Sequence, residues 1–176
     1  MFKPFIQTVA VSFFLLSGAL FTTQAVHAIP VTVRDTTLPV KKVVTENDGS
    51  LLLSAEAGYA IGPSIKYMPE WKAFGWFRSA DRVEWDVTIN KKGTYDVYLE
   101  WSVSDEDAGK PFIVQAGKRQ LKALTGKSGS WETFTSKKVG IIRLSAGSQK
   151  VIFKAATAFK EGALLDLREI RLVPVK

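Results

Sequence analysis

The sequence predicts an all-β domain, an antiparallel β-sandwich of the jelly-roll kind, on three observations. Two long segments, Arg82 to Ile89 and Tyr95 to Trp101, alternate apolar and polar residues strictly, the two-residue period of a half-buried strand. From Asp48-Gly49 onward, turn signals separate short runs rich in Val, Ile, Phe, Tyr and Trp, at the spacing of a sandwich or barrel. No helical periodicity runs beyond two turns in this part of the chain. Strands of this kind must each bury one face against a second sheet.

In chain order, residues 1–28 read as a cleavable secretory signal peptide. Lys3 is followed by the apolar run Val9 to Phe21, and small residues precede a cleavage point after Ala28. Ser12, Ser17 and Gly18 interrupt that run, which falls short of the about 20 apolar residues of a spanning helix. An exported chain, periplasmic or secreted and without a membrane span, is therefore expected. Residues 29–47, with Pro30 and Pro39 among Thr and Val, read as an extended arm or a strand added at an edge. The sandwich is expected over residues 48–176.

Within it, Val83, Trp85, Val87 and Ile89 share the inward face of one strand, and Tyr95, Val97, Leu99 and Trp101 that of the next. Asn90-Lys91-Lys92-Gly93 between them reads as a tight turn, which predicts an antiparallel hairpin. The polar stretch Ser102 to Gly109 ends the second strand. Pro111 to Ala116 and Gln120 to Leu124 are two further strands joined at Gly117-Lys118. Three more follow at Trp131 to Ser136, Val139 to Leu144 and Lys150 to Ala156, separated by Lys137-Lys138 and Ala146-Gly147-Ser148. A last strand runs from Leu164 to Val173, with alternation broken near Glu169, the mark of a bulge. Most of the five Trp are expected in the core, since a packed aromatic buries about 150–250 Å².

Composition removes several chemistries. Cysteine is absent, so disulfides, a thiol nucleophile and a lipid-modified cysteine are all excluded. The only histidine, His27, leaves with the signal peptide, and with it the commonest general base and zinc ligand. Cleavage removes just one of the 24 Lys and Arg, Lys3, and none of the 17 Asp and Glu. The remaining positive charge favours encounter with polyanions, but its lysines are scattered and form no Arg-rich stripe, so no nucleic-acid partner is expected.

The order of motifs resembles that of the galactose-binding-like jelly rolls, in particular the carbohydrate-binding modules of the family 6 and family 35 type. The resemblance rests on Leu52-Leu53-Ser54-Ala55-Glu56-Ala57, on Arg82-Val83-Glu84-Trp85-Asp86-Val87 and on Gly93-Thr94-Tyr95-Asp96-Val97-Tyr98-Leu99. Gly129-Ser130-Trp131-Glu132-Thr133-Phe134, Leu144 to Val151 and Leu165 to Ile170 complete it, over about residues 50–173. It implies a sugar held in a cleft of loops at one end of the sandwich, between Tyr67 of an early loop and Trp131 after the glycine-rich turn. A flat ring covers the C–H face of a pyranose while polar groups fix its hydroxyls. Related modules place an asparagine just before the last strand, where this chain has Gly162-Ala163. The resemblance also implies calcium, held by Glu56 and Asp166 of the first and last strands, although Ser54 stands where related modules carry an earlier acidic residue. Charge alone would pair Glu56 with Arg168 or a lysine.

Between Met68 and Arg78 the chain reads Pro69-Glu70-Trp71-Lys72-Ala73-Phe74-Gly75-Trp76-Phe77, a connection with unusual aromatic content. Trp71 and Tyr67 are the better candidates for exposed contact, while Trp76 and Phe77 are read either as a plug of the core or as part of the site. Lys160 and Glu161, before the last strand, are expected to supply hydrogen bonds to hydroxyls at the same end. Asp105-Glu106-Asp107 reads as a solvated turn, since consecutive carboxylates point in different directions. Nothing in the sequence brings two of Glu56, Glu100, Glu132 and Asp166 together as a glycosidase pair. The expected function is a non-catalytic carbohydrate-binding module for an acidic polysaccharide or envelope glycan. The alternative is an interaction domain that docks another exported protein or the cell envelope.

Overall fold

A computed structural model describes residues 41–176. The predicted signal peptide and most of the arm lie outside the described residues. Among the described residues, twelve strands form two six-stranded sheets. The first sheet contains β1 (Lys42–Val44), β3 (Tyr59–Ile61), β6 (Arg82–Ile89), β8 (Pro111–Ala116), β9 (Arg119–Leu124) and β11 (Gly147–Ala155). Its order is β1-β6-β11-β8-β9, with β3 sharing the β6 edge that β1 occupies. The second contains β2 (Leu51–Ser54), β4 (Lys66–Met68), β5 (Ala73–Gly75), β7 (Gly93–Ser102), β10 (Thr135–Leu144) and β12 (Asp166–Pro174). Its order is β10-β7-β12-β5-β4, with β2 also on β12. The only helical element among the described residues is a 3₁₀ turn, Ala55–Ala57, capped by the Ser54 hydroxyl. No helix among them is long and apolar enough to cross a membrane.

The core lies between the sheets and is built from the residues that alternate. Val83, Trp85, Val87 and Ile89 of β6 and Tyr95, Val97, Leu99 and Trp101 of β7 are all buried. Trp85 donates its indole N–H to the Ser54 carbonyl at 2.8 Å, and Trp101 donates to the Gly126 carbonyl at 2.8 Å. Each large apolar ring therefore enters the core without orphaning its polar atom. Phe153 packs against Phe77 at 5.6 Å and Phe112 at 5.1 Å between ring centroids, which joins β8 and β11 to the segment after β5.

Two expectations about connections are corrected. The strands predicted as a hairpin, β6 and β7, are not paired: β6 hydrogen-bonds to β1, β3 and β11, whereas β7 lies between β10 and β12 in the opposite sheet. Asn90 to Lys92 therefore carry the chain from one sheet to the other. The physical reason is that a two-residue type I′ or II′ hairpin turn needs a positive φ, and no residue from Asn90 to Gly93 has one. At Gly117-Lys118 the opposite holds. Gly117 has φ +55°, and β8 and β9 pair directly across it, as expected.

The second correction concerns Trp131 to Ser136, which is not a separate strand. Trp131 lies in a turn, and β10 runs unbroken from Thr135 through Lys137-Lys138 to Leu144. It absorbs the irregularity as a register shift between Lys138 and Gly140, so the two lysines mark a bulge rather than a chain reversal. Near Glu169 the expected bulge is present, as a register shift between Leu167 and Glu169 against β7.

Candidate functional site

Of the five Trp, Trp85 and Trp101 belong to the core, and the other three lie where the loops meet the outer face of the second sheet. The segment between β3 and β6, read from the sequence as a connection, contains a short hairpin. Lys66 pairs with Gly75, Tyr67 with Phe74 and Met68 with Ala73. Alternation then sends Tyr67 and Phe74 to one side and Lys66 and Gly75 to the other. Tyr67 packs edge-on against Phe74 at 5.8 Å and donates its hydroxyl to Glu56 Oε1 at 3.2 Å. Burial and the neighbouring Glu56 carboxylate hold its phenol above the usual range.

Directly after β5, Trp76 adopts a left-handed backbone with φ +53° and leaves its ring 58% exposed. Such a conformation costs a bulky residue about 1–3 kcal/mol and persists where the surroundings impose it. Phe77, the next residue, is fully buried, and its carbonyl accepts from the Leu164 N–H at 2.7 Å. The chain therefore reverses one ring outward and the next inward within two residues.

Trp131 approaches from the turn between β9 and β10. Buried Ser102, at the end of β7, donates its hydroxyl to the Trp131 carbonyl at 2.7 Å. Ser128 both accepts from the Val103 N–H at 2.8 Å and donates to the Val103 carbonyl at 2.9 Å. These bonds fix the turn to the strand, and the half-buried indole packs on the core edge. The third wall comes from the connection before β12, where the Arg78 guanidinium donates to the Gly162 carbonyl and, at 2.7 Å, to the Lys160 carbonyl. Gly162 has φ +69°, and a Cβ there would collide with the Asp107 carboxylate. The loop is thereby held at both its backbone and its turn.

Met68, Trp76, Trp131, Ala163 and Asp166 line an open pocket of about 250 Å³. Asp166 is its one ionisable lining side chain. It opposes Ser102 in the strand register, and a Cβ on Gly75 would lie 2.9 Å from one of its carboxylate oxygens. Glycine at 75 therefore opens the space in front of the acid. Burial first, and the charge of Glu132 second, push the Asp166 carboxyl up from 3.8 to about 7.

A folded-state pKa above the unfolded one means that the folded protein binds this proton more tightly. The associated stability is complete below pH 3.8 and is lost as pH rises through about 7. Asp166→Asn, which removes the ionisation, is expected to raise the melting temperature at pH 8 more than at pH 5. Equal shifts at both pH values would mean that the carboxyl titrates as an exposed one. Trp76→Gly relieves the left-handed strain and deletes a mostly exposed ring. Its melting temperature is expected to match or exceed that of the parent, while ligand binding weakens. A fall of several degrees would show that the ring supports the fold.

The sequence-predicted residues separate into three groups. Trp131 and Asp166 meet in the pocket. Tyr67 does not line it and is bonded to Glu56, and Trp71 stands beside it in a different assembly. Trp71 stacks on Phe134 at 6.1 Å, the Arg168 guanidinium lies 3.5 Å from the Phe134 centroid, and Arg168 is bonded to the Trp71 carbonyl at 3.2 Å and to Glu100 at 2.7 Å. Tyr67 and Trp71 are equally exposed, at 37%. Lys160 and Glu161 are exposed, and their side chains do not line the pocket. Asp105 and Glu106 are exposed, as expected for a solvated turn, but Asp107 is half-buried and paired with Lys110.

The two residues implied as calcium ligands have different surroundings. Glu56 accepts from Tyr67, not from Arg168, and Lys41 reaches only its backbone carbonyl. The charge that acts on Asp166 is that of Glu132. Among the described residues no group of three or more acidic or histidine side chains is arranged to hold a metal, and calcium takes six to eight oxygens. Glu56 and Asp166 by themselves supply two carboxylates, fewer than that count. The pocket also includes Met68 and Ala163, which the sequence did not single out as site residues, and Trp76, which it left open between core and site.

No family model and no curated protein matches the chain. Solved structures do. A family 35 carbohydrate-binding module from Clostridium thermocellum superposes with a TM-score of 0.58 at 12% identity, over 72% of this chain and 98% of that one. The C-terminal family 6 module of LamC, a marine laminarinase from Zobellia galactanivorans, gives a TM-score of 0.58 at 15% identity, over 70% and 98% of the two chains. The chain shares the β-sandwich fold of these modules. The same jelly roll also superposes on the mosquito-larvicidal Cry4Aa toxin from Bacillus thuringiensis, with a TM-score of 0.59 at 10% identity, over 78% of this chain and 25% of the toxin. At such identities the likeness concerns backbone architecture, and the pocket must carry the functional argument.

Proposed function

We propose that this domain is an exported, non-catalytic carbohydrate-binding module whose site is the pocket between Trp76 and Trp131. The observation that carries the reading is the pairing of two partly exposed indoles, Trp76 and Trp131, with one acid, Asp166, around a cavity of about 250 Å³. Ring faces provide an apolar platform for a pyranose, and a single polar group fixes its orientation, the usual composition of a small-ligand site. Ligand pockets for drug-sized molecules span about 300–1,000 Å³, so this one suits a single sugar ring at a chain end or branch. The family 6 and family 35 modules with this backbone support the reading, and export through residues 1–28 is part of it.

A hydrolytic role is disfavoured by the second carboxylate. Glu132 influences Asp166 but is itself exposed on a turn, without the enclosed cleft in which two carboxyls flank a scissile bond. The expectation of an acidic polysaccharide rests on the surplus of Lys and Arg over Asp and Glu that remains once Lys3 has left with the signal peptide. That charge governs long-range encounter, whereas the pocket itself is lined by a carboxylate and faced by another. The local sign is the reverse of the global one, so net charge does not select the ligand here.

A glycan array probed with the purified protein tests the proposal. Retention of one or more glycans by the parent, and its loss in Trp76→Gly, is the expected pattern. Docking to another exported protein is the competing role. An array without retained glycans, alongside retention of a protein partner, would replace the sugar reading with that one.

A further inference from the structure

We infer that the pocket selects a sugar unit carrying a protonated amine, a de-N-acetylated hexosamine, with the ammonium on Asp166 and the ring against Trp76 and Trp131. The inference rests on the reading of this pocket as a sugar site and names the class of sugar.

The first support is an acid without a partner. Among the described residues no hydrogen bond or ion pair engages the Asp166 side chain, although the residue is half-buried. Several other half-buried acids are paired, Glu84 with Arg82 and Lys150, Asp96 with Lys138, Glu100 with Arg168 and Asp107 with Lys110, and Glu169, which like Asp166 has no ion pair, does not line the pocket. The Asp166 carboxyl group opens on the pocket without a protein cation beside it, so a ligand ammonium would be its first ionic partner. The proton that Asp166 retains up to about pH 7 marks the same deficit.

The second support is the chemistry of the walls. Two indoles and the Met68 thioether surround the acid, and an ammonium ion is drawn to the face of a Trp ring. Lys66 Nζ already stands 5.6 Å from the Trp76 centroid, so this ring accommodates a cation on the outer side of β4. The third support is the Glu132 carboxylate, the one charge that acts on Asp166. The charged groups around Asp166 are Glu132 from the turn before β10, Lys66 beside Trp76, and Arg168 on β12 itself. Arg168 is occupied by Glu100 and by the Phe134 ring. A uronic acid would bring a third carboxylate to this place, and a neutral hexose would offer only a hydroxyl. An ammonium group forms a charge-assisted hydrogen bond, which is about twice as strong as a neutral one.

Titration calorimetry with the full protein tests this, using glucosamine oligosaccharides, their N-acetylated counterparts and glucuronic-acid oligosaccharides as probes at pH 5, 7 and 9. The amine is expected to bind about tenfold or more tightly than the acetylated sugar at pH 7. Its affinity should fall at pH 5, where Asp166 is protonated, and at pH 9, where the sugar amine loses its proton. Asp166→Asn should abolish the preference for the amine over the acetylated sugar. Equal or tighter binding of acetylated or acidic sugars, lost in Trp131→Ala, would overturn the amine and leave the sugar site standing. Absence of binding by all three probes, together with a silent glycan array, would remove the sugar reading itself. The parent protein decides between these outcomes even if Asp166→Asn does not fold.

Discussion

Replacing Trp85 by Ala is expected to destabilise the domain by about 3–5 kcal/mol, the range for emptying a large aromatic site in a core. Domains of this kind are stable by about 5–15 kcal/mol in total, so the variant should unfold at much lower urea concentration. Trp85 is fully buried from the middle of β6. A Cβ on Gly58 would lie 2.9 Å from its indole nitrogen, so backbone as well as side chains lines the space it fills and collapse into it is limited. The Ser54 carbonyl also loses its 2.8 Å donor, and an unsatisfied buried acceptor adds to the loss. Urea denaturation of the two proteins measures the difference. A cost under about 1 kcal/mol would contradict the full burial that the fold assigns to this ring.

Trp131→Ala is expected to weaken glycan binding about thirtyfold or more, the loss of about 2 kcal/mol that defines an energetic hot spot. The indole forms one wall of the pocket, and its position is set through its own carbonyl by Ser102 and through the turn by Ser128. Truncation therefore removes the platform and leaves its support in place. Because the ring also packs on the core edge, some stability should be lost too, and affinity is best compared well below the melting temperature of the variant. Trp131→Phe keeps a flat apolar face and should recover part of the binding. Unchanged affinity in Trp131→Ala would place the ligand elsewhere, and the neighbouring Trp71–Phe134–Arg168 stack would be the next surface to test.

Both predictions concern tryptophans, and the sequence distinguishes them only in part. Trp85 lies in an unbroken alternation with Val83, Val87 and Ile89, and its burial follows from the period of the strand alone. Trp131 follows a glycine-rich turn, and only the family resemblance singled it out before the fold was known. For Trp76 the sequence leaves core and site both open. It lies next to Phe77 in a run without alternation, and its outward direction depends on a left-handed backbone that no local pattern encodes. Tyr67, which the sequence offers as a wall of the site, does not line this pocket, because one residue of register in the β4–β5 hairpin decides the face.

The sequence by itself determined the fold class, the inward residues of β6 and β7, the β8–β9 hairpin and the bulge in β12. Each of these follows from side-chain period or from turn chemistry within a few residues. The tertiary structure alone decided that β6 and β7 belong to opposite sheets. Alternation specifies which face of a strand is buried but not which strand supplies its hydrogen bonds. It alone also assembled the pocket, because Met68, Trp76, Trp131, Ala163 and Asp166 come from four separate parts of the chain. The unusual state of Asp166 has the same origin: burial and the charge of Glu132, 34 residues earlier in the sequence, both arise only when the sandwich closes.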